Sequence, residues 1–140
     1  MPRSHQHLIV NARVGRDAVD VNDCRKWLDD LILLIGMRIL VPSHCVQDRE
    51  PGNEGITGVV ILTTSHAVFH YWAPHSSEPD RLSFCLYSCE SFDPQLVIDH
   101  IDDFWSASEY RCRFLDRTWD IVDIGNTIRL PPPAGSPGGA

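Results

Sequence analysis

Residues 57–70, from Thr57 to His70, read TGVVILTTSHAVFH. Val59, Val60, Ile61 and Leu62 make one apolar, mostly β-branched run that reads as a buried strand, and Ala67, Val68 and Phe69 read as part of a second. Between them lies Thr63-Thr64-Ser65-His66. Ser65, His66 and His70 sit among apolar strand residues, where polar groups must find partners or do chemistry. The break centred on Ser65 is therefore the candidate site.

The two central strands span about residues 56–63 and 66–72. Upstream, residues 6–13 alternate and read as a strand, followed by an acidic turn. A helix then runs from about Asn22 to Gly36, with Asn22 as its N-cap and Trp27, Leu28, Leu31, Leu34 and Ile35 on its apolar face. Gly36 suits its end. Residues 38–46 read as a strand that Pro42 interrupts, which points to a sheet edge, and residues 48–54 as a polar turn. Downstream, a loop rich in Pro, Ser and charge (73–80) leads to a strand over Leu82–Cys89. Asp93 and Pro94 fit the cap and first position of a second helix, buried through Leu96, Val97, Ile101, Phe104 and Trp105. Residues 110–115 read as the last strand. From Pro131 the sequence PPPAGSPGGA is low-complexity, and residues 131–140 are expected to be a disordered tail.

This order of elements predicts the α+β class: a two-layer sandwich of a mostly antiparallel sheet with two helices on one face. Residues 1–130 read as one domain. The bare face of such a sheet wants a cover, which predicts a dimer through sheet faces or edges.

At 140 residues and 43% apolar content the chain is long enough for one real core. Its formal charge is −7 and its Lys and Arg residues form no run, which disfavours a nucleic-acid partner. The start, MPRSHQHLIV, lacks the apolar centre of a signal peptide, and the longest strongly apolar run, Leu31 to Ile35, falls far short of the ~20 residues that span a bilayer. A cytoplasmic protein with no membrane partner is expected, and in that compartment the five cysteines read as thiols rather than a disulfide framework.

Four segments carry a resemblance. His7-Leu8-Ile9-Val10 lies in the first strand; Gly55-Ile56-Thr57-Gly58-Val59-Val60 precedes Ser65-His66; His70-x-Trp72 follows; and Leu86-Tyr87-Ser88-Cys89 comes shortly before Asp93-Pro94 and a helix. In this order and spacing they resemble the prokaryotic S-adenosylmethionine decarboxylases, a self-processing, pyruvoyl-dependent family. The resemblance implies cleavage between Thr64 and Ser65, with Ser65 converted to a pyruvoyl cofactor. It implies that His70 is the base of processing, that Thr57 is a hydroxyl helper and that Cys89 returns a proton to the substrate carbon. The residue types suit that chemistry. A serine hydroxyl that attacks the preceding carbonyl makes an ester, and its elimination needs a base and donors for the oxyanion. The ketone left behind would form a Schiff base with a substrate amine and accept electrons as CO₂ leaves. By the same resemblance the protein is a homodimer with its sites near the interface. It would act on a small-molecule substrate, supplying decarboxylated S-adenosylmethionine for spermidine synthesis.

The chain departs from the family at several points. Thr64 stands where common members have Glu; the acyl shift uses its carbonyl and not its side chain, so Thr64 is kept with Thr57 as a processing helper. Trp72-Ala73-Pro74-His75 stands where members read Trp-Pro-Glu, and the loop on to Cys89 is longer. Asn11-Ala12-Arg13 replaces an acidic and aromatic stretch. Trp72, Glu78 and Asp80 are the candidate substrate-binding residues. The altered segment opens an alternative, a pyruvoyl-dependent decarboxylase of ornithine or arginine. Thr64 also supports an alternative of another class, a non-processing regulatory homologue without the cofactor.

Each residue alone has a plainer explanation. Ser65 suits a turn, His70 a half-buried imidazole with a partner, Cys89 a small core position and Trp72 a core or interface. Glu78 and Asp80 suit a solvated loop, and Cys24, Cys45, Cys85 and Cys112 read as packing residues. A zinc site from His66, His70, Cys85 and Cys89 is disfavoured. Strand residues four apart lie about 13 Å from one another, whereas zinc ligand atoms gather within about 4 Å.

Overall fold

A computed structural model describes residues 4–16 and 19–132. The described chain forms β1 (Gln6–Arg13), α1 (Val21–Leu34), β2 (Ile39–Asp48), β3 (Gly55–Leu62), β4 (Ser65–Trp72), β5 (Arg81–Ser88), α2 (Pro94–Trp105), β6 (Ser108–Asp116) and β7 (Val122–Asp123). The seven strands make one sheet in the order β2-β3-β4-β5-β1-β6-β7, and every neighbouring pair is antiparallel. The expected α+β sandwich is the observed architecture.

Strand alternation sorts the side chains onto two faces. Leu8 and Val10 of β1, Val60 and Leu62 of β3, Ala67 and Phe69 of β4, and Leu82, Phe84 and Leu86 of β5 are buried beneath the helices. Trp27 of α1 is the hub of that core. Its ring meets Phe69, Phe84 and Trp105 edge-on and stacks on His100. The two helices also exchange polar contacts, since Trp27 Nε1 donates to the His100 carbonyl at 3.3 Å and His100 Nε2 lies 3.0 Å from the Trp27 carbonyl oxygen. Among the described residues the opposite face carries no helix, and it leaves Ile9 and Ile61 exposed.

Helix ends differ in detail from expectation. The N-cap of α1 is Asp20, not Asn22: its carboxylate accepts the Asp23 N–H at 2.8 Å, and a negative group there also suits the helix dipole. Gly36 takes a left-handed φ of 73°. Its N–H donates to the Leu33 carbonyl and that of Met37 to the Ile32 carbonyl, the paired bonds that close a helix in a Schellman motif. The buried stripe of α1 is Cys24, Trp27, Leu28, Leu31 and Ile32, whereas Leu34, expected in the core, is 49% exposed. Similarly, Asp93 caps α2 with Pro94 at its start, but Ile98 is buried in place of the expected Leu96, which faces out.

The edges follow from local chemistry. β2 is an outer strand, and its pairing with β3 shifts register around Pro42, between Ile39 and Val41 and again between Val41 and His44. The other edge is covered by β7, a two-residue strand that the sequence did not announce. Of the expected tail, residues 133–140 lie outside the described residues. No described helix is long and apolar enough to cross a membrane.

Candidate functional site

The β3–β4 hairpin closes as tightly as a hairpin can. Leu62 pairs with Ser65, leaving only Thr63 and Thr64 in the turn, and Thr64 takes a left-handed φ of 55°. β-Branched residues rarely adopt that conformation. Side-chain bonds surround it: Thr64 Oγ1 donates to the Thr63 carbonyl at 2.7 Å and lies 2.5 Å from Cys89 Sγ. With its single proton committed to Thr63, the Thr64 hydroxyl offers a lone pair, so the Cys89 thiol is the donor. The Cys89 backbone N–H in turn donates to Ser65 Oγ at 3.2 Å.

Cys89 reaches this point because β5 ends at Ser88, beside the start of β1 and within reach of the turn. The chain then bends. Ser88 Oγ accepts the Glu90 N–H, and Gln6 Oε1 accepts the Phe92 N–H. Cys89 is 4% exposed. Beside Ser65 lies a cavity of about 210 Å³ lined by Arg38, Leu62, Thr63, Ser65, Ser88 and Glu90, among others.

A second group forms on the helix-free face. Thr57 and His70 are direct partners across β3 and β4, with Thr57 Oγ1 2.9 Å from His70 Nδ1. The Trp72 ring centre is 6.0 Å from that of His70, and Trp72 Nε1 donates to Asn53 Oδ1 at 3.0 Å. Ser65 and His70 begin and nearly end the same strand. Five residues of strand span roughly 16 Å, and an odd separation puts the two side chains on opposite faces. The fold therefore brings Thr64, Ser65 and Cys89 together, and separately Thr57, His70 and Trp72. It does not bring His70 to Ser65 within one chain.

Glu78 and Asp80 lie beyond the Trp72 end of β4. Glu78 pairs with Arg81 at 3.4 Å and lines a cavity of about 460 Å³ with Arg13, Arg81, Arg111 and Glu109. Asp80 has a left-handed φ of 57°, and its carbonyl accepts the Val14 N–H at 2.7 Å.

Sequence inspection missed three features. Arg38 and Glu90 face the Ser65 cavity; Glu90, adjacent to Cys89, carried a signal, whereas Arg38 carried none. Glu54 lines a cleft of about 700 Å³ with Asp48, Arg49, Tyr71 and His75, and its Oε1 is buried without a hydrogen-bond partner. A row of rings crosses the bare face, where His66 stacks on Tyr87 and His7 meets Tyr87 edge-on. Burial, with Arg117 and His66 as lesser causes, holds the His7 imidazole below its usual pKa.

The five cysteines form no disulfide. Burial raises Cys24 to about 12 and Cys45 and Cys112 to about 11, which suits thiols that pack rather than react. Among the described residues, no three His, Cys, Asp or Glu side chains are grouped to hold a metal ion.

In comparison with known proteins, the chain matches the family model described as S-adenosylmethionine decarboxylase over residues 6–118, which takes in the sheet from β1 to β6 and both helices. A search of curated proteins finds no match.

Proposed function

The chain belongs to the S-adenosylmethionine decarboxylase family, and from that premise we propose that it cuts itself between Thr64 and Ser65 and then works as a pyruvoyl-dependent decarboxylase. The observation that carries this is the meeting of Thr64, Ser65 and Cys89 at one tight turn. A serine at the first strand position after a two-residue turn, its oxygen held by a backbone N–H and its upstream neighbour in a left-handed conformation, fits a residue due to leave its peptide bond.

The step balances as follows. Ser65 Oγ attacks the Thr64 carbonyl carbon and loses its proton; the Thr64–Ser65 C–N bond breaks and the freed nitrogen is protonated. A base then takes the Ser65 α-proton and the Cβ–O bond breaks, releasing the Thr64 carboxylate. Water displaces ammonia from the remaining unsaturated residue and leaves a ketone at position 65. That ketone supplies the electron sink for decarboxylating an amine-bearing substrate.

Each residue has a distinct task. The Cys89 N–H orients Ser65 Oγ, and the thiol, set beside Thr64, is the donor for the substrate carbon. His70, oriented by Thr57, is the base for the α-proton. Because His70 lies on the wrong face for its own Ser65, a second copy of the chain supplies it, and the working unit is a cytoplasmic homodimer. Trp72 flanks that half of the site.

S-Adenosylmethionine is the first substrate of this proposal, in keeping with the family. A second reading, an ornithine or arginine decarboxylase, draws support from Glu90, an acidic residue among those lining the cavity beside Ser65, which suits a substrate with a second cation. The deciding experiment is intact mass under denaturing conditions, followed by turnover. Two fragments meeting at Thr64 and Ser65, the second with a blocked start, are expected; release of CO₂ from each substrate then separates the two readings. A chain that stays whole on long incubation points to a non-processing relative and refutes the proposal.

A further inference from the structure

We infer that the Thr64 hydroxyl is a positioning group that clamps Cys89 onto the scissile turn, so that self-cleavage depends on Thr64 through Cys89; this rests on the proposed cleavage at Ser65. Cys89 makes two contacts with two successive residues. Its N–H holds Ser65 Oγ at 3.2 Å and its Sγ holds Thr64 Oγ1 at 2.5 Å. The side chain of one residue and the reacting oxygen of the next are thus fixed by a single residue from β5.

Thr64 Oγ1 gives its proton to the Thr63 carbonyl, so the thiol gives its own proton to Thr64. The backbone supplies the second argument. Thr64 is a β-branched residue at φ 55°, a conformation that persists only where surrounding contacts hold it. Cys89, at 4% exposure, is buried and has little freedom to move away. Remove the hydroxyl and the turn is free to relax, carrying Ser65 Oγ out of line with the Cys89 N–H.

The test compares Thr64→Val, which keeps the branched shape and loses the hydroxyl, with Thr64→Ser, which keeps the hydroxyl. Initial cleavage rates are read by intact mass, with melting curves confirming that both variants fold. The valine variant is expected to cleave about tenfold more slowly or worse and the serine variant within about threefold of the parent, the scale of effect of a misplaced reacting group. A second readout does not involve cleavage. In a Ser65→Ala background, the rate at which a small alkylating reagent modifies Cys89, read by peptide mass against the half-buried Cys85 as an internal reference, should rise with Thr64→Val and stay put with Thr64→Ser. Unchanged Cys89 modification in the valine variant overturns the clamp, as does cleavage at the parental rate. If the parent never cleaves, the proposed function fails by itself and the thiol measurement still decides the clamp.

Discussion

Thr57 Oγ1 lies 2.9 Å from His70 Nδ1 on the helix-free face of the sheet, while Ser65, in the same strand as His70, belongs by alternation to the other face. The base and the serine of the proposed self-cleavage are thus built into one chain without meeting there. The expected consequence is complementation. A His70→Ala chain alone should cleave about 10²-fold more slowly than the parent, at the lower end of what a general base contributes. Co-expressed with a Ser65→Ala chain, whose His70 is intact, it should regain cleavage in the mixed dimer. Mixed dimers that form and leave the His70→Ala chain whole would show that His70 does not act across chains.

Gly58 is required by contact rather than by backbone freedom. A Cβ there would sit 2.2 Å from a ring carbon of Phe69 and 2.8 Å from Cys45 Sγ. Gly58→Ala should therefore cost about 1–3 kcal/mol, as overpacked cores do. Gly55→Ala should cost more, because its Cβ would meet the Tyr71 carbonyl oxygen at 1.8 Å and backbone in a paired strand cannot step aside. Denaturant unfolding of the two variants gives the order directly; equal midpoints for both and for the parent would contradict it.

The fold was legible where a residue's role is local. Alternating strands, the Asp93-Pro94 helix start and the edge position of β2 all follow from side-chain period, cap chemistry and a proline without an N–H. Leu34 and Leu96 misled because a helix stripe shifts with the exact start and end of the helix, and Asp20 competed with Asn22 for the cap. β7 was invisible because two residues carry no period. In the candidate site, Ser65 and Cys89 stand out by family likeness, and the fold brings them together. The separation of His70 from Ser65 follows from strand geometry once the register is known. Arg38 and Glu54, each just ahead of a strand, come to their cavities through backbone bonds from Thr63 and Ala73, long-range contacts that no local pattern encodes.

His7 should make stability sensitive to acid. Its imidazole is held below the ordinary value first by burial, then by Arg117 and His66. Arg117 Nη1 is 3.0 Å from His7 Nδ1 and donates to it, while the ring of Tyr87 packs edge-on against it. A pKa lowered on folding means that the unfolded chain binds the proton more readily. The contribution of His7 is therefore complete above its unfolded pKa of about 6.5 and declines as pH falls from there to the folded value. Melting temperatures between pH 5 and 8 should slope upward through this window, and His7→Gln should flatten the slope. An equal slope in the variant would assign the acid sensitivity elsewhere.

Glu90 should discriminate between substrates by the kind of cation they carry. Glu90 and Arg38 line the cavity beside Ser65, so in the proposed reaction a positive group on the substrate would be drawn to the carboxylate. Glu90→Gln preserves shape and one acceptor oxygen but removes the charge. An ammonium or guanidinium loses a charge-assisted hydrogen bond, worth about 1.5–3 kcal/mol, or roughly 10–100-fold in kcat/KM. A sulfonium has no N–H to donate and loses only the Coulomb attraction, a smaller effect in a cavity open to water. For turnover of ornithine or arginine the variant should therefore fall by the larger factor, and for S-adenosylmethionine by the smaller. Parental kcat/KM on every substrate would place Glu90 outside the binding pocket, and equal losses on all of them would mean that it supports Ser65 rather than selecting what Ser65 meets.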